Sequence, residues 1–112
     1  MSDCIFCKIA SGAIAVSPVY EDDDFIAFPD IQPQAPVHIL VIPRRHYNSL
    51  VEVEDAGVLG QALQAVQKTA LALHLHSEGF RTVINTGDNG GQTVHHLHFH
   101  VLVGRFMTWP PG

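Results

Sequence analysis

Histidines near the C-terminus are the residues whose type and spacing most directly suggest chemistry. Three of the chain's 8 histidines alternate there with apolar residues: His96, His98 and His100. Because successive side chains of a β-strand point to opposite faces, we expect the three imidazoles to share one face and the apolar residues the other. Three interpretations are open: a hydrogen-bonded surface row, a catalytic metal site, or nucleophilic attack on phosphorus by a neutral imidazole.

The glycine-rich segment 86–92 (TGDNGGQ), directly upstream, favours the phosphate interpretation. Gly90 and Gly91 allow main-chain N–H groups to approach an anion closely. Gln92 and Thr93 add uncharged side-chain donors. A row of bases beside an anion-accepting loop is what phosphoryl or nucleotidyl transfer requires.

The elements that must position these residues can be read from the apolar pattern. Segment 19–29 is typical of a hairpin with an acidic turn, and the continuous apolar run 37–43 of a central strand. Apolar residues at helical spacing predict one long helix over 55–74. Strands are expected at 81–85 and 94–103. The predicted fold class is α+β, an antiparallel sheet of about five strands with one long helix.

Length and charge limit the function classes. At 112 residues the chain is expected to be one domain, residues 1–112. A net charge of −5, with Arg44-Arg45 as its basic doublet, argues against broad nucleic-acid binding. The first residues lack the pattern of a signal peptide, and the apolar run 39–43 is too short to span a bilayer. We therefore expect a cytoplasmic protein with no membrane partner.

The histidine run resembles the signature of the histidine triad (HIT) family. Further matches extend over almost the whole chain and are closest to the Hint branch, the purine nucleoside phosphoramidases. They are Cys-Ile-Phe-Cys-Lys-Ile at 4–9, Phe28-Pro-Asp30-Ile31, Gln34-Ala-Pro-Val-His38, Val41-Ile-Pro-Arg-Arg-His46, Asn85, Gly91-Gln92 and Trp109-Pro-Pro-Gly112. The resemblance implies a HIT-like fold and a homodimer whose sheet continues across both protomers.

For catalysis, the resemblance implies a nucleotidyl-transferring hydrolase like adenosine 5′-monophosphoramidase, without a catalytic cofactor. His98 would attack the α-phosphorus and form a nucleotidyl-histidine, which water then hydrolyses to the nucleoside monophosphate. A main-chain carbonyl of the same strand would fix the tautomer of His98, and His38 would support it. The catalytic residues that the resemblance implies are His38, His96, His98 and His100. His100 and Gln92 would contact the phosphate and the leaving group, and Thr93 stands where the branch usually has serine.

The resemblance also assigns a purine nucleotide site. Asp30 would accept from the ribose hydroxyls, and Ile14, Phe28 and Ile31 would enclose the purine. Trp109 would lie near the partner protomer's leaving-group site. The full set of implied nucleotide-binding residues is Ile14, Phe28, Asp30, Ile31, Asn85, Gly91, Gln92, Thr93, Val94 and Trp109. His74 and His76 have no implied role and are expected at the surface, while His95 is expected to pack on the face opposite the triad.

A second constellation joins the CxxC pair to two histidines: Cys4, Cys7, His46 and His96. A structural disulfide is not expected in the cytoplasm, and two cysteines with two histidines are a common tetrahedral zinc set. Some triad proteins bind structural zinc at these positions. A zinc clip and two reduced thiols both remain open. For the chain as a whole, the alternatives are a dinucleoside polyphosphate hydrolase of the Fhit branch and a nucleotide-binding regulatory adaptor.

Overall fold

The computed structural model describes residues 3–112, so Met1 and Ser2, on which the leader interpretation partly depends, lie outside it. Two helices and five strands make up the fold, with short 3-10 turns at Leu50–Glu52 and Leu75–Ser77. In chain order they are α1 (Ile5–Ala10), β1 (Tyr20–Glu21), β2 (Phe25–Pro29), β3 (Val37–Pro43), α2 (Ala56–Ala72), β4 (Arg81–Val83) and β5 (Phe99–Val103). None of the helices formed by residues 3–112 is both long and apolar enough to cross a bilayer.

The five strands form one antiparallel sheet in the order β1-β2-β3-β5-β4. The central strand β3 pairs with β2 on one side and β5 on the other, which places His38 opposite Leu102 and Leu40 opposite His100. This confirms the predicted α+β class, the sheet of five strands and the single long helix. It also brings His38 to the strand that carries the end of the histidine run.

Helix α2 covers one face of the sheet, and the short helix α1 covers the other. Asp55 caps α2, since its carboxylate accepts from the Gly57 N–H at 2.8 Å. The α2 side holds the larger core, which includes Leu97, Phe99 and Val101. Burying a large apolar side chain of this kind contributes about 1.5–3 kcal/mol. The sheet that carries the histidines is therefore fixed from the side opposite to them.

The last strand begins at Phe99 rather than at residue 94, so His96, in a bend at 94–96, and His98 both precede β5. The ladder with β3 ends at the pair Val41 and Phe99. Two residues further on, Leu97 would face Pro43, which has no N–H to donate. The N–H of Leu97 donates instead to the carbonyl of Tyr47 at 2.7 Å.

Other element bounds also differ from the predicted ones. The long helix is shorter than 55–74 because Asp55 is its cap and His74 adopts a left-handed conformation (φ 56°) after its end. Strand β4 ends two residues before the predicted 85. Helix α1 was not predicted, because six residues are too few to show a helical period.

Candidate active site

Apolar and histidine side chains of segment 96–101 lie on opposite sides of the sheet, as predicted. His96 and His98 contact Phe6 of α1, with ring centroids 5.8 and 5.1 Å apart, whereas the apolar residues pack toward α2. The interpretation as a surface row is wrong, because His96 is 0% and His98 5% exposed. Burial of an imidazole requires polar partners, and each of these two rings has one.

Nδ1 of His98 donates to the main-chain carbonyl of His96 at 2.7 Å. A neutral imidazole that donates from Nδ1 has its free electron pair on Nε2. The same histidine run therefore supplies both the imidazole and the carbonyl that sets its tautomer. Nε2 of His98 is the nitrogen that can act as a nucleophile.

His38 hydrogen-bonds to His100, not to His98, with 2.9 Å between Nε2 of His38 and Nδ1 of His100. The other nitrogen of His38 accepts from the N–H of Gln34 at 3.0 Å, and Asp30 Oδ2 lies 3.5 Å from Nε2. Burial lowers the pKa of His38, and the Asp30 carboxylate partly opposes this. Burial, with His98 and His38 nearby, lowers the pKa of His100 to about 4. Both imidazoles are therefore neutral at neutral pH.

The glycine-rich loop is braced by its own side chains. Gln92 is buried, accepts at Oε1 from the N–H of Gly87 (3.1 Å) and donates from Nε2 to the carbonyls of Asn48 (2.6 Å) and Val94 (3.0 Å). Asn85 donates to the carbonyl of Gly90 at 2.7 Å. Thus Gln92 and Asn85 shape the loop from within, and the main-chain N–H groups of Gly87, Gly91 and Gln92 also donate inside it.

Two glycines are required for this loop shape. A Cβ on Gly90 would overlap the Thr86 carbonyl oxygen, and Gly91 has φ +78°. Thr93, two residues after Gly91, is exposed. Val94 is half-buried and packs against the core on the α1 side of the sheet. Thr93 is thus exposed at the end of the loop, three residues before His96.

The expected purine contacts are not all in one place. Phe28 is buried beside Phe6, with ring centroids 6.0 Å apart, so it lies on the histidine side of the sheet. Ile31 is 92% exposed. Ile14 lines a separate groove of about 330 Å³ that also contains Arg44, and no triad histidine lines that groove. Phe6, which links Phe28 to the triad, was missed from sequence because the helix that carries it was missed.

Trp109 is 80% exposed within a C-terminal segment fixed by Arg81. Arg81 donates to the carbonyls of Thr108 and Met107 at 3.0 and 3.2 Å, and its guanidinium lies 5.9 Å from the indole centroid. His95 is exposed, so the expectation that it packs is wrong for this chain.

A second cluster on the α1 side contains four possible metal ligands, all within 4.8 Å of one another: Cys4, Cys7, His46 and His96. The two Nδ1 atoms are 3.2 Å apart, and three of the four sulfur–nitrogen distances are 3.3 to 3.6 Å. Zn–N and Zn–S bonds of about 2.0 and 2.3 Å at tetrahedral angles imply separations of about 3.3 and 3.6 Å.

Outer hydrogen bonds orient these two histidines toward a cation. Nε2 of His96 donates to the carbonyl of Pro43, and Nε2 of His46 to Oδ1 of Asn48, both at 2.8 Å. Each Nδ1 therefore carries a free electron pair directed at the other, an arrangement that a shared cation would stabilise. Burial and the neighbouring Cys4 thiol raise the pKa of Cys7, and a bound metal would oppose this by favouring the thiolate. The residues present fit a zinc ion.

Known proteins resemble this chain over nearly its full length. A family model for the HIT domain matches residues 12–107. A HIT-like protein of Synechococcus elongatus is 53% identical over 112 aligned residues, covering 98% of this chain and 97% of the relative. The crystal structure of a HIT family hydrolase from Legionella pneumophila has a TM-score of 0.92 at 46% identity, covering 98% of this chain and 100% of the other.

A more distant crystal structure adds a second description. A hypothetical histidine triad nucleotide-binding protein from Sulfolobus tokodaii has a TM-score of 0.81 at 32% identity, covering 89% of this chain and 68% of the other. Sequence, family model and fold thus agree, and the chain belongs to the HIT family.

Proposed function

We propose that this protein is a nucleotide-binding hydrolase that cleaves the P–N bond of purine nucleoside phosphoramidates. The observation that carries the proposal is the hydrogen bond from Nδ1 of His98 to the His96 carbonyl, because it leaves the Nε2 electron pair available. The hydrolase from Legionella pneumophila and the nucleotide-binding protein from Sulfolobus tokodaii support the class of activity.

The reaction proceeds in two displacements. In the first, Nε2 of His98 forms a bond to the α-phosphorus and the P–N bond breaks. The amine leaves with the electron pair and takes a proton from solvent. In the second, water attacks the same phosphorus, the bond to His98 breaks, and the water proton returns to solvent. One water is consumed, and a nucleoside monophosphate and an amine are released.

His100 and the loop stabilise the charge that develops on phosphate oxygens. With Nδ1 of His100 accepting from His38, the remaining N–H of His100 lies on Nε2 and is a neutral donor. Thr93, exposed at the end of the loop, acts in the same way through its hydroxyl. A single pre-positioned donor of this kind is typically worth a few kcal/mol in the transition state.

Nucleoside recognition falls to the α1 side of the sheet. Asp30 accepts from the ribose hydroxyls, Phe28 with Phe6 forms the apolar wall, and Ile31 contributes an exposed apolar side chain at the rim. Trp109 reaches the leaving-group side of the partner protomer's site in a homodimer. A structural zinc held by the Cys4 and His46 cluster ties α1 to the sheet without taking part in the chemistry.

The test is a comparison of substrates. Adenosine and guanosine phosphoramidates are offered beside a diadenosine polyphosphate, and nucleoside monophosphate release is measured. Turnover of the phosphoramidates with much slower release from the dinucleotide is expected. Preferred cleavage of the dinucleotide would point to a Fhit-type hydrolase, and tight nucleotide binding without turnover of either would point to an adaptor; both results would reject the proposal.

A further inference from the structure

The loop between β2 and β3 contains a residue, Gln34, whose main-chain N–H and main-chain carbonyl are both hydrogen-bonded to side chains. The main-chain N–H of Gln34 donates to Nδ1 of His38 at 3.0 Å. The carbonyl of the same residue accepts from Arg105, through Nε at 3.3 Å and the terminal NH2 nitrogen at 3.2 Å. Arg105 is exposed and follows β5, so it reaches this loop from the end of the strand that carries His100.

The end of β5 lies very close to the loop between β2 and β3. Gly104 has φ +100°, and a Cβ there would lie 2.8 Å from the Cβ of Pro36. Only glycine allows the end of β5 to lie this close to the loop in that conformation. The contact brings the guanidinium of Arg105 to the Gln34 carbonyl.

The main-chain N–H of Gln34 determines which ring nitrogen carries the proton in His38 and in His100. Nδ1 of His38 accepts, so a neutral His38 carries its proton on Nε2. That nitrogen is 2.9 Å from Nδ1 of His100 and must donate to it, which leaves the proton of His100 on Nε2. The opposite tautomer of His38 would place two N–H donors against each other, and a buried donor without a partner costs about 1–3 kcal/mol.

The Gln34 N–H also makes a second histidine cluster chemically different from the zinc-type cluster of Cys4, Cys7, His46 and His96. Asp30, His38 and His100 also have ligand atoms within 4.8 Å of one another. In the zinc-type cluster the outer histidine nitrogens donate to oxygen and direct free electron pairs inward. At His38 the outer nitrogen accepts, so the inner nitrogen carries a proton. His38 is thereby set as a hydrogen-bond donor rather than a metal ligand.

We infer that Arg105 is a positioning residue for the reaction, which acts through the backbone of Gln34 and through His38 to hold the donor N–H of His100 toward the phosphate. The inference rests on the proposed function for its catalytic meaning, but the tautomers of His38 and His100 can be measured without any substrate. Arg105 itself touches no reacting atom.

The experiment compares Arg105→Met with Arg81→Met by long-range proton–nitrogen NMR of the histidine rings. Arg81 is a matched control, because it also donates from its guanidinium to main-chain carbonyls, at residues 107 and 108, but does not contact the Gln34 loop. In the wild-type protein and in Arg81→Met, we expect His38 and His100 each to carry the proton on Nε2. In Arg105→Met, both rings should show a mixture of tautomers, and Arg105→Lys, which keeps one donor, should restore much of the wild-type pattern.

Kinetics gives the second readout. With a phosphoramidate substrate, Arg105→Met should lower kcat about 10-fold while KM changes little, because a misplaced donor weakens transition-state contacts more than substrate binding. Wild-type tautomers and kcat in Arg105→Met, or a proton on Nδ1 of His38 in the wild-type protein, would overturn the inference. A changed tautomer pattern in a protein that turns over no phosphoramidate would reject the proposed substrate and leave the positioning of His100 standing.

Discussion

At the scale of single residues, the protein uses hydrogen-bond partners to give chemically identical imidazoles different tasks. Nδ1 of His98 donates to a carbonyl, so its Nε2 is free. His96 donates from Nε2 to a carbonyl, so its Nδ1 is free and faces the cysteines. His38 accepts from a main-chain N–H and therefore donates to His100. A carbonyl partner, as at His98 and His96, leaves the opposite nitrogen with a free electron pair, whereas the N–H partner of His38 makes that ring a donor.

Replacing the nucleophile should separate catalysis from binding. His98→Asn removes the attacking nitrogen but leaves the wall formed by Phe6 and Phe28 and the ribose acceptor Asp30. We expect kcat to fall by about 10³-fold, while nucleoside monophosphate affinity by calorimetry stays near the wild-type value. His95→Asn, at an exposed neighbouring position, serves as the control. A near-normal rate in His98→Asn would rule out the nucleotidyl-histidine mechanism.

Burial of neutral His100 makes stability depend on pH. Its pKa is about 4 in the folded protein and about 6.5 in an unfolded chain. Between these values the unfolded state binds more protons, so the free energy of unfolding should fall as the pH drops from about 6.5 to about 4. Urea unfolding should show a weaker fall for His100→Gln, and an unchanged one for His76→Gln, which alters an exposed histidine. Equal slopes in all three proteins would contradict the burial argument.

At the scale of elements, α1 is a short helix that few buried side chains attach to the sheet. It has six residues, and only Phe6 and Ile9 are buried. Its N-terminal cap is Cys4, whose sulfur accepts from the Cys7 N–H at 3.4 Å. Both cysteines also face His46 and His96, which belong to the segments after β3 and before β5. A metal at this cluster would cross-link α1 to two parts of the sheet.

Zinc removal should therefore loosen α1 and lower thermal stability. Protein purified without added zinc should contain about one zinc per chain, and Cys4→Ser with Cys7→Ser should lose it and melt earlier, because structural zinc contributes folding free energy. The paired variant His74→Gln with His76→Gln removes two exposed histidines and should retain the metal. A metal-free wild-type protein whose melting curve is unchanged by added zinc would exclude the structural zinc.

At the scale of the whole molecule, the outer side of α2 and the turn after it expose several large apolar side chains. Leu63 is 58%, Leu71 50% and Phe80 39% exposed. Together with Val66 and Ala70, these residues line one shallow surface groove. An isologous contact through this surface, with β4 at its edge, would cover it by a second copy of the same surface.

Leu63→Glu should disrupt the proposed homodimer. Sedimentation of the wild-type protein at micromolar concentration should show a dimer, and the variant a monomer, because a carboxylate would be buried without a partner at the interface. Val51→Glu is the matched control, since Val51 is 82% exposed at a site away from α2. A wild-type monomer, or a dimer that Leu63→Glu leaves intact, would reject this interface.

Sequence alone determined the fold class, the long helix and the side of the sheet on which the histidines lie. These follow from the spacing of apolar residues along the sequence, which does not depend on the tertiary structure. The alternation of His96, His98 and His100 with apolar residues predicted two opposite faces even though the strand itself begins only at Phe99. The four-residue zinc-type set was also named as a group, because the resemblance to triad proteins selected His46 and His96 to join the CxxC pair.

Only the tertiary structure decided which imidazole meets which partner. His38 lies 62 residues from His100, and the two meet because β3 pairs with β5 in a register that the sequence does not specify. Gln34 and Arg105 act through a main-chain N–H and a main-chain carbonyl, groups that nearly every residue possesses and that no side-chain pattern can mark. The assignment of protons on these histidines is therefore a property of the folded backbone, whereas the presence of the histidines is a property of the sequence.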